Sequence, residues 1–200
     1  METRCFATSF NLLRRHGLLA MLALGLAGCF NEPTPAYKTV QEGQRVYGEL
    51  PTKVEICDYV NLDRKGLTEF PEVLLKCPNL KWLRLNDNQL SAIPDLSGLK
   101  NLRRIYLKNN SLNEVPEGLK GLEGLTDIEL SGNPISQIPQ WLAEKKGLKN
   151  LSFNRTMISK LPDDLSAWKS LQSLQLGELN LSAEEMARIR KALPEVAIIW

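Results

Sequence analysis

Apolar residues along this chain keep neither the 3.6-residue rhythm of a helix nor the two-residue rhythm of a strand. Residues 80–90, LKWLRLNDNQL, show what replaces them: leucines at 80, 83, 85 and 90, then a turn at Asn88. The same spacing returns from Leu102, Leu125 and Leu148, with a degenerate copy from Cys57 and a last one from Leu171. The copies follow L-x-x-L-x-L-x-x-N-x-L. All but the last run on to an apolar residue and a proline: Pro71, Pro94, Pro116, Pro139 and Pro162. Leu83 and Leu85 predict a short strand, and the prolines stop the strand ladder before it can lengthen. One such coil cannot bury its apolar face alone, so the copies must stack.

The registered copies resemble the leucine-rich-repeat family over residues 57–200. That resemblance implies an α/β solenoid, with a curved parallel sheet on the concave side and short helices or turns on the convex side. QWLAEK and DDLSAW fit such convex turns. Asn88, Asn110 and Asn133 occupy the turn position, where a side-chain amide can satisfy backbone groups that the turn would orphan. Lys65, Thr156 and Leu179 replace it elsewhere.

An open solenoid must close its ends. Residues 181–200 supply a C-terminal cap. Ser182 and Glu185 have capping-box spacing, Met186, Ile189 and Leu193 follow at helical intervals, and PEVAIIW adds a closing strand. At the other end, KVEI before Cys57 is the candidate capping strand. The expected organisation is a removable leader over residues 1–28, a tether over 29–50 and the repeat domain over 51–200.

The leader follows from Arg14 and Arg15 preceding an apolar run, GLLAMLALGLAG. Twelve helical residues rise only about 18 Å, short of a ~30 Å hydrocarbon core, as in a secretory signal. The run ends in Leu26-Ala27-Gly28-Cys29, which resembles the lipobox of bacterial lipoproteins. The resemblance implies cleavage before Cys29, a diacylglycerol on its thiol, and an exported protein held at a bacterial cell membrane or outer membrane, facing the periplasm or the exterior.

The full chain carries a formal charge of +2. Removing Arg4, Arg14, Arg15 and Glu2 with the leader leaves equal numbers of basic and acidic residues, a poor match for nonspecific nucleic-acid binding. The sole histidine, His16, lies in the leader. Histidine-based catalytic triads and metal sites are therefore not expected, and no cofactor is implied. Asp127 and Glu129 are the only close acidic pair on the concave face and read as solvated acids. Cys57 and Cys77 remain after processing, in a compartment where disulfides persist. Coil stacking brings them near each other. A bridge and two free buried thiols both remain open.

Positions between the inward leucines project from the sheet. Tyr59, Trp82, Arg84, Arg104 and Tyr106 then share one patch on the N-terminal half, rich in residue types enriched at binding hot spots. Trp141 and Trp168 fall on convex segments as packing residues, and Trp200 is expected against the cap. The expected protein is a non-enzymatic, lipid-anchored monomer that binds an unidentified protein partner through this face. A structural envelope component contacting glycan or peptidoglycan is the alternative, since aromatic rings also stack on sugars.

Overall fold

A computed structural model describes residues 43–200. Eight strands form a single parallel sheet in sequence order: β1 (Gln44–Tyr47), β2 (Cys57–Asn61), β3 (Trp82–Arg84), β4 (Arg104–Tyr106), β5 (Asp127–Glu129), β6 (Asn150–Ser152), β7 (Ser173–Gln175) and β8 (Ala197–Ile199). One residue from each of β2 to β7, namely Val60, Leu83, Ile105, Ile128, Leu151 and Leu174, pairs across the sheet in unbroken register. All six are buried. A second inward row follows the strands as Leu62, Leu85, Leu107, Leu130, Phe153 and Leu176, so each coil lays its leucines on those of the next. Burying one such side chain stabilises the fold by about 1.5–3 kcal/mol.

The return path across the other side is irregular. Pro71, Pro116 and Pro139 each stand immediately before a short helical turn: Glu72–Lys76, Glu117–Leu119 and α1 (Gln140–Ala143). Proline fits there because the first turn of a helix leaves that N–H unused. DDLSAW contributes only its end, to a 3-10 turn at Ser166–Ser170. Trp168 in that turn is fully buried, and its indole N–H donates to the Leu142 carbonyl at 3.0 Å.

The asparagines act as cross-ties. Asn88 donates to the carbonyls of Leu62 and Leu85, both at 2.9 Å, while its oxygen accepts from the Lys65 and Leu67 N–H groups. Asn110 and Asn133 repeat the arrangement one and two coils later. Each therefore binds its own coil to the preceding one. Thr156 reaches only the Phe153 carbonyl in its own coil.

The residue before each turn position has a left-handed backbone: Arg64, Asp87, Asn109, Gly132, Arg155 and Glu178 all have φ between 52° and 70°. A side chain there costs about 1–2 kcal/mol unless it is glycine or asparagine. At Asp87 the bonds made by the next residue, Asn88, offset that cost. Asp87, Asn109 and Gly132 are of the types that tolerate this conformation, whereas Arg64, Arg155 and Glu178 are not, so composition announces the constraint at only half of the six positions.

Both ends are capped. Helix α2 (Ala183–Ala192) starts with the Glu185 N–H donating to Ser182 Oγ at 3.1 Å, half of the expected capping box. The Glu185 carboxylate turns instead to the Leu161 N–H and to Arg188, stitching the cap onto the previous coil. β8 then closes the sheet, and Arg190 lies over the Trp200 ring at 5.0 Å.

The N-terminal cap differs from the sequence expectation. It is β1, inside the segment expected as tether, so the sheet begins before residue 51. Residues 54–56 form a turn. KVEI runs directly into β2 and cannot lie parallel beside it, since parallel neighbours need a crossover. Gln44–Tyr47 has that crossover, and its Val46 points into the core. The leader, Cys29 and residues 29–42 of the expected tether lie outside the described residues.

Candidate functional site

Short strands fix the site. With Val60, Leu83, Ile105 and Ile128 inward, the two neighbours of each must face out. Register then sets Tyr59, Trp82, Arg104 and Asp127 in one row, and Asn61, Arg84, Tyr106 and Glu129 in the next. Strand spacing of about 4.8 Å puts neighbouring side chains in contact. The five residues singled out from sequence therefore meet on three adjacent strands.

Contacts within the patch are specific. Trp82 meets Tyr59 edge-on, with ring centroids 5.8 Å apart. Arg104 covers the other side of Trp82, its guanidinium carbon 4.7 Å from the ring centroid, and its Nε lies 3.4 Å from Asp127. Arg84 lies over Tyr106 at 5.3 Å. Two of its nitrogens donate to Asp63 Oδ2, at 2.9 and 2.7 Å. Burial pulls the Arg84 guanidinium toward losing its proton, but the Asp63 hydrogen bond and charge outweigh it and hold the pKa above the ordinary arginine value. Asp63 and Asp127 thus pin the arginines onto the rings, with Trp82 still 37% exposed.

The sequence expectation missed Tyr47. Its ring lies 5.2 Å from Tyr59 and extends the aromatic run onto β1, where it is 61% exposed. The alternation in QRVY, with Val46 between two polar-tipped residues, was the available signal; surrounding prolines and glycines obscured it. Asp63 was also unassigned, because it follows its strand and reaches Arg84 only across coils.

The remainder of this face is polar. Asp127 accepts from Asn150 at 2.7 Å, and Glu129 accepts from the Ser131 N–H. Trp141 sits on the opposite side, where its indole N–H donates to Glu117 at 2.8 Å. Cys57 and Cys77 are buried free thiols beside each other. Burial pushes both up, Cys77 to about 12, with the neighbouring Cys57 adding to the effect. Among the described residues no cluster of three or more His, Cys, Asp or Glu side chains could hold a metal ion, and no helix is long and apolar enough to cross a membrane. The patch offers ring faces, fixed guanidinium edges and no activated nucleophile.

The family model described as leucine rich repeat matches residues 58–112 and 78–135, the stretch that carries the ties and the patch. The fold is a leucine-rich-repeat solenoid. A leucine-rich-repeat protein of Leptospira interrogans is similar at 28% identity and a TM-score of 0.63, over 73% of this chain and 43% of that one. An internalin of Listeria monocytogenes shares the fold at 23% identity and a TM-score of 0.56, over 71% of this chain and 39% of its own. The chain spans less than half the length of either relative. No curated protein matches it. Leucine-rich-repeat proteins typically mediate protein–protein interaction and are generally not enzymes.

Proposed function

We propose that this leucine-rich-repeat protein is a lipid-anchored, exported binding module of the bacterial envelope, and that it engages a protein partner through the sheet face around Trp82. The observation that carries the binding face is the exposed aromatic run Tyr47–Tyr59–Trp82, flanked by arginines already fixed in place. Pre-fixed side chains lose little rotamer freedom on binding, which is where affinity is otherwise forfeited. Large exposed rings on a sheet invite association, and Trp, Tyr and Arg dominate binding hot spots. Anchoring is supported by Leu26-Ala27-Gly28-Cys29 at the end of the apolar run.

A photo-crosslinking residue at Asn61, beside the patch, tests the face against one at Ser97 on the return path. In envelope extracts the Asn61 probe forms a discrete protein adduct that survives glycan digestion, and the Ser97 probe does not. Equal labelling from both positions would remove the sheet face as the binding surface. An adduct lost on glycan digestion would assign the face to a glycan.

A further inference from the structure

Away from the aromatic patch, the C-terminal half of the sheet holds a cavity. Glu129, Ser152, Gln175 and Ile199 form one register row across β5 to β8. Two residues past the first three stand Ser131, Asn154 and Gly177, on the same side of the sheet. Together the two rows line a cavity of about 430 Å³, closed at one end by Lys108 and at the other by Trp200. Small-molecule sites have volumes in this range.

Hydrogen bonds fix the floor. Ser131 Oγ and Ser152 Oγ are 2.7 Å apart, and Ser152 Oγ donates to Gln175 Oε1 at 3.3 Å. Asn154 Nδ2 donates to the same oxygen at 2.9 Å, while Asn154 Oδ1 accepts from the Gly177 N–H at 2.6 Å. Two donors converging on Gln175 Oε1 set the amide and leave its Nε2 as a free donor. Glu129 Oε1 accepts from the Ser131 N–H at 2.8 Å, which leaves Oε2 as a free acceptor. These two groups stand on strands about 10 Å apart, with only Ser152 between them. Trp200 and Ile199 supply an apolar wall, and Arg190 lies over the Trp200 ring at 5.0 Å. Lys108, Arg155, Glu129 and Glu178 also line the cavity. None of these four belongs to an ion pair among the described residues, and their formal charges cancel.

We propose that this cavity binds a neutral saccharide of one or two rings. The inference goes beyond the protein-binding face around Trp82 and does not rest on it. Donors and acceptors line the cavity side by side, and a sugar hydroxyl is a group that both donates and accepts. An anion would meet Glu129 and Glu178, and a cation would meet Lys108 and Arg155. The groups fixed at the floor are amides and hydroxyls, which match hydroxyls better than the charged ends of a zwitterion. Gln175 Nε2 and Glu129 Oε2 can then hold hydroxyls on opposite sides of a ring. The C–H face of that ring packs on the Trp200 and Ile199 wall, where an aromatic side chain offers a large apolar surface. Because Gln175, Asn154 and Glu129 are already bonded in place, little side-chain freedom is lost on binding.

The test titrates the full-length chain with maltose, cellobiose, lactose and chitobiose, and reads saturation-transfer NMR signals on the sugar protons. At least one of the four should give a saturable signal at millimolar concentration. Gln175→Glu keeps the oxygen that accepts from Ser152 and Asn154 but replaces the free donor with an acceptor. It should weaken binding about tenfold while circular dichroism stays native. Trp200→Ala should weaken it by a similar factor through the lost wall, and Trp82→Ala should leave it unchanged. No signal from any of the four sugars overturns the inference. So does a signal that survives both Gln175→Glu and Trp200→Ala, and so does tighter binding of inorganic phosphate or glycylglycine in the same assay. A signal abolished by Trp82→Ala but not by Gln175→Glu also overturns it, and would place the sugar on the aromatic patch instead.

Discussion

Arg104 lies across the indole of Trp82, 4.7 Å from the ring centroid, and is held there by Asp127 on the next strand. Two coils are needed to set this geometry and a third supplies the ring beneath. The patch is thus a property of coil stacking, and its stability is coupled to the asparagine ties behind it.

Asn110→Ala should be among the most damaging polar substitutions. It strips the Leu85 and Leu107 carbonyls and the Leu90 N–H of a buried partner. Each orphaned buried group costs about 1–3 kcal/mol, so a total loss of roughly 3–5 kcal/mol is expected. Thr156→Ala removes one bond and should cost about 1 kcal/mol. Urea denaturation of the two variants gives the comparison directly, and equal losses would contradict the cross-tie role.

Leu83→Ala opens a cavity at a fully buried position between two coils. A loss of about 2–5 kcal/mol is expected. The same measurement on Trp82→Ala, one residue away and facing out, should give no more than about 1–2 kcal/mol from the lost ring and cation contacts. A reversed order would mean the inward and outward positions are misassigned.

The coil register was legible because six copies overlay without ambiguity, and parallel pairing followed from stacking. The patch was legible for the same reason: Trp82, Arg104 and Tyr106 needed only a register to be brought together. Tyr47 was not, since a four-residue strand among prolines and glycines carries too few alternations to stand out. Asp63 lay beyond local pattern, as it meets Arg84 only after folding. The left-handed position was only half legible, because Asp87, Asn109 and Gly132 suit it while Arg64, Arg155 and Glu178 carry no signal for it.

Glu185 gives the C-terminal cap an acid-sensitive joint. Its hydrogen bond to Arg188 holds its carboxyl below the ordinary value of 4.5, against the opposing effect of burial. A depressed folded-state pKa contributes stability above the unfolded value that is lost as pH falls through the folded one. Wild type should therefore exceed Glu185→Gln in melting temperature at neutral pH. The gap should narrow below about pH 4 as the wild-type carboxyl protonates. A gap independent of pH would place the effect in packing alone.

Cys57 and Cys77 should resist alkylation in the folded protein near neutral pH, since burial keeps both protonated, Cys77 up to about 12. Unfolding without reductant and then alkylating distinguishes the two states by intact mass. Two labels mean free thiols, as in the structure. None means that the neighbours have been oxidised to a bridge, which would close a loop of about 20 residues and add roughly 3 kcal/mol.

The lipid anchor proposed at Cys29 should disappear with Cys29→Ser, because a hydroxyl is a far poorer nucleophile than a thiol. Metabolic labelling with a radioactive fatty acid, followed by fractionation, reads this. Label retained by the serine variant would rule out lipidation at Cys29.

The claim that the Trp82 face binds a protein is tested most directly by Trp82→Ala combined with Arg104→Ala, measured for both melting and partner capture by crosslinking in envelope extracts. Hot-spot truncation typically costs 2 kcal/mol or more, so capture should fall about thirtyfold or further. Melting should drop by only a few degrees, in line with about 1–2 kcal/mol of lost surface contacts. Capture that stays at the wild-type level in a folded double variant would contradict the account and move the binding surface off the sheet.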